Sequence, residues 1–421
     1  MSKKVQKSEK RIDDVLNLMC KKGVTPSGKG WNEDTTLTTY KDMLKALVRE
    51  YHETYGVADI QKFDEQKLKE LLYKRVDGYF EGNLSQAHNI RTALAAVRAY
   101  NHGIEEIPSL KSKHKPLKMD TREMRHELNN MGVIRRGRAS SILRATPEQA
   151  RSVLDNMEAT LNEYRDKGYH YDTTMREISY HSGRIANETG GRIASIMKLK
   201  VDDVVVDKTK NEIRFRKDKG GLSRAVRIPP ETAAYLAELT EGKKSNQHLF
   251  TSKRRNGSFK SRQAMTKEVE KIIKQAGNHL NETSQITMKN RDGEKVTMTV
   301  HHHFTPHSFR KSFSVRRTME YHEQFSTKSQ IDKHISERIK ENEKVKEKLT
   351  VARQRINHHM YDKTGALKTN PKTGSVYVPR DLSREEYAIF CTSLDLGHFR
   401  NDVITSWYTT FNEIKSYVKD K

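Results

Sequence analysis

Four short stretches of the chain hold residue types suited to attack on a phosphodiester. Cleaving that bond without a metal needs a nucleophile for phosphorus, cations to hold the non-bridging oxygens as charge builds, and an acid for the leaving oxygen. Arginine clamps phosphate best, because its guanidinium stays charged and its fork matches the oxygens. The stretch ETGGRIASIMKL at 188–199 places Arg192 just after a Gly-Gly turn, opening a helix. A glycine pair there would let a phosphate backbone approach closely. RKDKGGLSRAVRIP at 216–229 puts Lys219 at the tip of a predicted hairpin, with Lys217 as a rival and Arg224 beyond the turn. In TPHSFRKSF at 305–313, His307 and Arg310 stand three apart on a helix opened by Thr305 and Pro306, so both share one face. LDLGHFRNDVITSWY at 394–408 sets His398 ten residues before Tyr408.

The elements that must position these groups fall into two blocks. Residues 1–33 read as a short helix and a flexible basic arm. From 34 to 104 the apolar spacing predicts three helices, through Leu44, Leu47, Val48 and Tyr51, then Phe63, Leu68, Leu71, Leu72 and Val76, then Ala87, Ile90, Leu94, Val97 and Tyr100. A basic linker with two prolines, IPSLKSKHKPLKMD at 107–120, leads to a further helical pair near 121–144. Thr146 as cap, Pro147 at the first helical position and Glu148 and Gln149 behind it mark a helix start and a domain boundary. Short β-branched runs at 201–207 and 212–229, broken by Gly220 and Gly221, predict a small antiparallel sheet. Helical patterns resume at 231–240 and 260–276. The charged stretch 326–360 has a narrow apolar stripe and reads as a long projecting helix or helical hairpin. Residues 361–382 read as loop with one short hairpin at most. No fixed-period repeat is present.

Composition narrows the partners. The chain has 79 Lys and Arg against 55 Asp and Glu, a net charge of +24, which points to a polyanion. No apolar run approaches the ~20 residues that cross a bilayer, so no membrane partner is expected. The N-terminus lacks the apolar core of a secretory signal. Cys20 and Cys391 form no metal-ligand pair and suit a reducing cytosol. His301, His302, His303 and His307 lack structural-zinc spacing and read as a His-rich strand end, so neither metal nor cofactor is expected.

A turn arginine, a hairpin lysine, His-x-x-Arg, Leu-Gly-His and a tyrosine, in that order, resemble the tyrosine recombinase (phage integrase) family over roughly 146–421. The resemblance implies a mainly α fold with a small antiparallel β-sheet. It implies a helical DNA-clamping domain at 34–145 after an arm at 1–33, then a mixed α+β catalytic domain at 146–421. Tyr408 would form a 3′-phosphotyrosyl bond, Arg192 and Arg310 would clamp the phosphate, His307 would assist proton movement at the nucleophile, His398 would bond the phosphate, and Lys219 would be the general acid. The partners implied are duplex DNA and three further copies of the chain, and a directionality factor is compatible with them. The setting implied is the cytoplasm of a bacterial or phage system, with no metal and no ATP. A telomere resolvase, a type IB topoisomerase and a non-catalytic DNA-binding regulator share enough of the pattern to stand as alternatives.

The chain departs from that pattern in three places. Ser195 stands where the family's helix carries an acid, with Glu188 on the wrong side of Arg192. The interval from His398 to Tyr408 is one residue longer than usual. Arg310 and His398 lie 88 residues apart (398 − 310), which implies an insertion at about 322–386, expected to contact DNA or a neighbouring protomer. The stripe of Phe411, Ile414 and Val418 beyond Tyr408 would pack in cis or dock into the next protomer.

Overall fold

The computed structural model describes residues 2–28, 33–134, 140–207, 210–216, 223–362, 364–371, 373–398, 403–405 and 408. The chain divides into two compact units, one of Met1–Ser141 with Thr283–His301, the other of Ile142–Glu282 with His302–Lys421. Both are mainly helical with small antiparallel sheets, as the sequence leads one to expect.

In the first unit, helix α1 (Lys3–Lys22) is not the short prelude to an arm expected from its charge. Val5, Ile12, Val15, Leu16 and Met19 recur at helical spacing and are all buried in the unit's core. Each such side chain contributes about 1.5–3 kcal/mol when fully buried, enough to seat a helix with a basic outer face. Its neighbour Gly103 lies so near Met19 that a Cβ there would sit 2.1 Å from Sδ. Helices α2 (Thr38–Tyr55), α3 (Glu65–Phe80) and α4 (Gln86–Glu106) carry the three predicted apolar stripes. The prolyl linker is anchored rather than solvated: it holds the short α5 (Pro108–Lys111), buries Leu110, Leu117 and Met119, and is pinned where Asn101 bonds the Leu117 amide and carbonyl, both at 2.8 Å. Asp120 then caps α6 (Thr121–Asn130).

The second unit opens with α7 (Pro147–Asp166), and the Thr146–Gln149 capping box at its start is present in full. Helix α8 (His170–Thr189) ends at Gly190, and Arg192 stands just before the short α9 (Ile193–Ile196). Strands β1 (Val204–Val206), β2 (Asn211–Phe215) and β3 (Arg224–Arg227) form an antiparallel meander with Ile213 opposite both Val204 and Val226. Helices α10 (Pro230–Thr240) and α11 (Arg262–Ala276) follow. Next comes a two-stranded hairpin, β4 (Asn281–Lys289) and β5 (Lys295–His303), of which the sequence pattern predicts only the His-rich strand end at 301–303. Its Ile286, Met288, Val296 and Met298 pack on the first unit's core, which is why its middle clusters there. The chain returns as α12 (Pro306–Gln324).

The charged stretch read as an insertion takes the two-helix alternative and packs inward rather than projecting. It forms two helices, α13 (Lys328–Glu341) and α14 (Lys344–Ile356), whose Ile331, Ile335, Val345, Leu349 and Ala352 share a small core with Tyr321, Phe325 and α15 (Arg384–Asp395). The narrow stripe suffices because α15, the helix it covers, is buried along most of its length.

Candidate active site

Each motif side chain is placed by a local device. Thr305 and Ser308 make reciprocal caps at the start of α12, which fixes the first turn and sets His307 and Arg310 on one face. Leu-Gly-His is the end of α15. Gly397 sits at φ +67, its amide bonds the Leu394 carbonyl at 2.9 Å, and the His398 amide bonds the Ser393 carbonyl at 2.8 Å. These are the two bonds of a Schellman cap, so glycine is required by the backbone and the histidine follows at the position that leaves the helix. Gly190 closes α8 in the same left-handed region, at φ +59. The Gly-Gly pair is demanded by packing within the chain. A Cβ at Gly190 would meet Leu396 and Phe313 at 2.5 Å, and one at Gly191 would meet Phe215 at 2.9 Å.

These devices converge on the Tyr408 hydroxyl. Arg310 Nε donates to it at 3.0 Å, His398 Nε2 lies 3.0 Å away and His307 Nε2 lies 3.2 Å away. Tyr408 is 3 % exposed and Arg310 1 %, so solvent competes little with this arrangement. Arg310 also donates through Nη1 to the Gly190 carbonyl, and through Nη2 to the Leu396 carbonyl and to His398 Nε2, the last at 3.0 Å. An arginine can only donate, so His398 Nε2 accepts and is bare. That nitrogen can therefore receive the phenolic proton. His307 Nε2 can take the complementary part and donate to the phenolic oxygen.

Burial is the largest cause holding both imidazoles neutral, with the Arg310 charge next; the Arg192 charge acts on both. Each is pushed down to about 3. Arg192 itself stands at the start of α9, directly after the Gly190-Gly191 pair that closes α8. Lys219, its rival Lys217, and the stripe of Phe411, Ile414 and Val418 lie outside the described residues. Glu188 does not stand in for the acid missing at Ser195: it pairs with Arg316 at 3.0 and 3.1 Å.

Two further residues belong to the scaffold: Arg224, noted from sequence only as the arginine beyond the hairpin turn, and Asp395, which was not singled out. Arg224, buried against the Phe215 ring, donates to the Thr189 carbonyl (3.3 Å) and to the Asp395 carbonyl. Asp395 is fully buried. Its carboxylate accepts from Arg317 Nε, Tyr321 Oη and Arg338 Nη2, each at 2.8 Å. Burial would raise its pKa, but the Arg338 and Arg317 guanidiniums outweigh that and hold it below the ordinary range. An acid inside the apolar run AIFCTSLDLG was the available signal.

No metal-holding group of three or more His, Cys, Asp or Glu occurs among the described residues, nor any helix long and apolar enough to cross a membrane.

No curated protein matches the chain. Among solved structures, the Tn1549 transposon integrase in complex with transposon right-end DNA is 13 % identical, covers 97 % of this chain and 98 % of its own, and has a TM-score of 0.43. A lambda integrase dimer bound to a core site is 13 % identical, covering 76 % and 88 %, with a TM-score of 0.44. The XerH recombinase in a post-cleavage complex with its palindromic difH substrate is 19 % identical, covering 73 % and 74 %, with a TM-score of 0.40. Residues 144–319 match the phage integrase family, a span that holds Arg192, His307 and Arg310 and stops short of His398 and Tyr408. Over this part the chain is similar to the phage integrase family, the tyrosine recombinase class that the order of its motifs resembles.

Proposed function

We propose that the chain is a site-specific recombinase that breaks and rejoins duplex DNA through Tyr408. One observation carries this reading: a buried tyrosine hydroxyl bonded at once by Arg310, His398 and His307. In the proposed reaction the phenolic oxygen attacks phosphorus, its proton passes to His398 Nε2 rather than to His307, to which the resemblance assigns it, and the bond from phosphorus to the 5′ oxygen breaks. The DNA 3′ end is then held as a phosphotyrosyl ester, and Lys219 protonates the departing 5′ oxygen. Arg192 and Arg310 hold the non-bridging oxygens as their charge grows. Attack by a 5′ hydroxyl reverses each step, and the ester conserves the energy of the original bond, so resealing needs no ATP.

Duplex DNA as the substrate is supported by the net charge of +24 and by a basic groove of the first unit. That groove, about 590 Å³, is lined by Arg91 and Arg98 of α4 and by Arg122, Arg125 and His126 of α6. In this reading the segment 34–145 is the DNA clamp and 146–421 the catalytic domain. Four copies would assemble on two sites, and the reaction would take place in the cytoplasm. A directionality factor is compatible with it.

Covalent capture tests the reading. The protein is incubated in EDTA with nicked duplexes drawn from the ends of its own element, and run on denaturing gels beside Tyr408→Phe. An adduct that disappears in Tyr408→Phe is expected. Tight binding to a proven site without any adduct would replace this reading with a non-catalytic regulator. Relaxation of supercoils without site preference, or hairpin-ended products, would move it to a topoisomerase or a telomere resolvase.

A further inference from the structure

The inserted helices raise a question that the proposed chemistry leaves open, because a segment expected to reach outward turns a buried cation inward. Arg338 lies on the face of α13 that also buries Ile331, His334 and Ile335. Its side chain is 13 % exposed, and Nη2 meets Asp395 Oδ1 at 2.8 Å. Asp395 Oδ2 is occupied by Arg317 and Tyr321 of α12, so among the described residues Oδ1 takes its hydrogen bond from Arg338. The carboxylate terminates α15, and the chain on either side of it is functional. The Asp395 carbonyl grips Arg224, the Leu396 carbonyl grips Arg310, and His398 leaves two residues later through the Gly397 cap.

We infer that Arg338 is a positioning residue for the Tyr408 site, acting through Asp395 to hold the turn from Leu394 to His398 in register with Arg310. The inference rests on the recombinase reading for its catalytic consequence, though not for the coupling itself. The physical basis is the behaviour of buried ion pairs. Their net contribution to stability is small, but removing one partner strands the other charge in a medium that cannot solvate it. Here Arg317 and Tyr321 stay on Oδ2, and it is Oδ1, on the last helical residue before the catalytic turn, that loses its cation. Relief would come by fraying that end of α15 towards solvent, which draws the Leu396 carbonyl off Arg310 and His398 Nε2 off the phenol. The insertion is thereby part of the catalytic scaffold in its own chain, whatever its outer face meets.

The test compares Arg338→Met with Arg338→Lys and with Arg353→Met, a control on α14 whose guanidinium pairs with Asp381 instead. Two readouts are taken: the ring-nitrogen signals of 15N-labelled histidine in the DNA-free protein, with His398 assigned by its loss in His398→Gln, and single-turnover adduct formation on saturating nicked DNA. Arg338→Met should shift the His398 signal and slow adduct formation at least tenfold, with DNA affinity within twofold of wild type. Arg338→Lys, which keeps the charge but not the fork, should fall between, and Arg353→Met should match wild type in both. If Arg338→Met fails to give a cooperative melt, Arg338→Lys against Arg353→Met carries the same comparison, with a smaller shift and a loss of about threefold. An unshifted His398 signal overturns the inference whatever the rate does. A shifted signal in a protein whose wild type forms no adduct upholds the coupling and removes the recombinase reading.

Discussion

Replacing Gly190 by alanine should be among the most damaging single-methyl changes in the second unit, for two reasons that can be measured apart. Its φ of +59 lies in the left-handed region, where an L side chain costs about 1–2 kcal/mol. The added Cβ would also lie 2.5 Å from both Leu396 Cδ2 and Phe313 Cδ1, an overpacking worth about 1–3 kcal/mol. The expected loss is therefore about 2–5 kcal/mol. Gly242 supplies the control. It has φ +70 and nothing within 4 Å of the point where a methyl would sit, so Gly242→Ala should show the conformational cost alone, about 1–2 kcal/mol. Urea unfolding followed by circular dichroism reads both. With a slope of about 3 kcal/mol per molar, Gly190→Ala should lower the midpoint by roughly 1 M and more than its control. Because the Gly190 carbonyl accepts from Arg310, the same variant should slow adduct formation while Gly242→Ala does not. Equal unfolding midpoints for the two variants would refute the steric half of the reasoning.

Three further outcomes follow from the same geometry. His307 and His398 sit at about 3 when folded, against an ordinary value near 6.5, so both are neutral at physiological pH. A histidine depressed in this way contributes stability that is complete above about pH 6.5 and is lost as pH falls towards 3. Histidine NMR titration should show neither ring protonating above pH 4, and a midpoint between 6 and 7 for either would contradict the burial argument. Gly397→Ala should cost about 1–2 kcal/mol from its φ of +67 and shift the His398 ring signals; an unmoved His398 would mean the Schellman cap does not position it. DNA affinity should fall linearly on a log–log plot against salt, and Arg98→Ala or Arg125→Ala should each reduce the slope by about 1. Unchanged slopes in both variants would take the basic groove out of the DNA contact.

The site was legible where local chemistry writes itself into a few adjacent residues. Thr305-Pro306 announces a helix start, Gly397 a helix end, and the three-residue step from His307 to Arg310 a shared face. The separate stretches could be joined because each carries a group that one reaction needs. What escaped was set by distance or dilution. Arg338 and Asp395 are 57 residues apart, and nothing near either announces the other. The β4–β5 hairpin alternates Ile286 and Met288 with polar neighbours around a turn at Asp292-Gly293, but its apolar positions are few and, Met298 and Val300 apart, half-exposed, so the two-residue period was faint. In α1 the basic residues masked an apolar stripe of good spacing. The packing reason for the Gly-Gly pair could not be read: the crowding by Leu396, Phe313 and Phe215 exists only once the fold brings them together.

The most direct test of the central claim is to map the bond. The trapped adduct would be digested with protease and nuclease, and the nucleotide-bearing peptide identified by mass spectrometry. The account predicts a single modified residue, Tyr408, joined to a 3′ phosphate, with a free 5′ hydroxyl on the released strand. Linkage through another tyrosine, or to a 5′ phosphate, would contradict it.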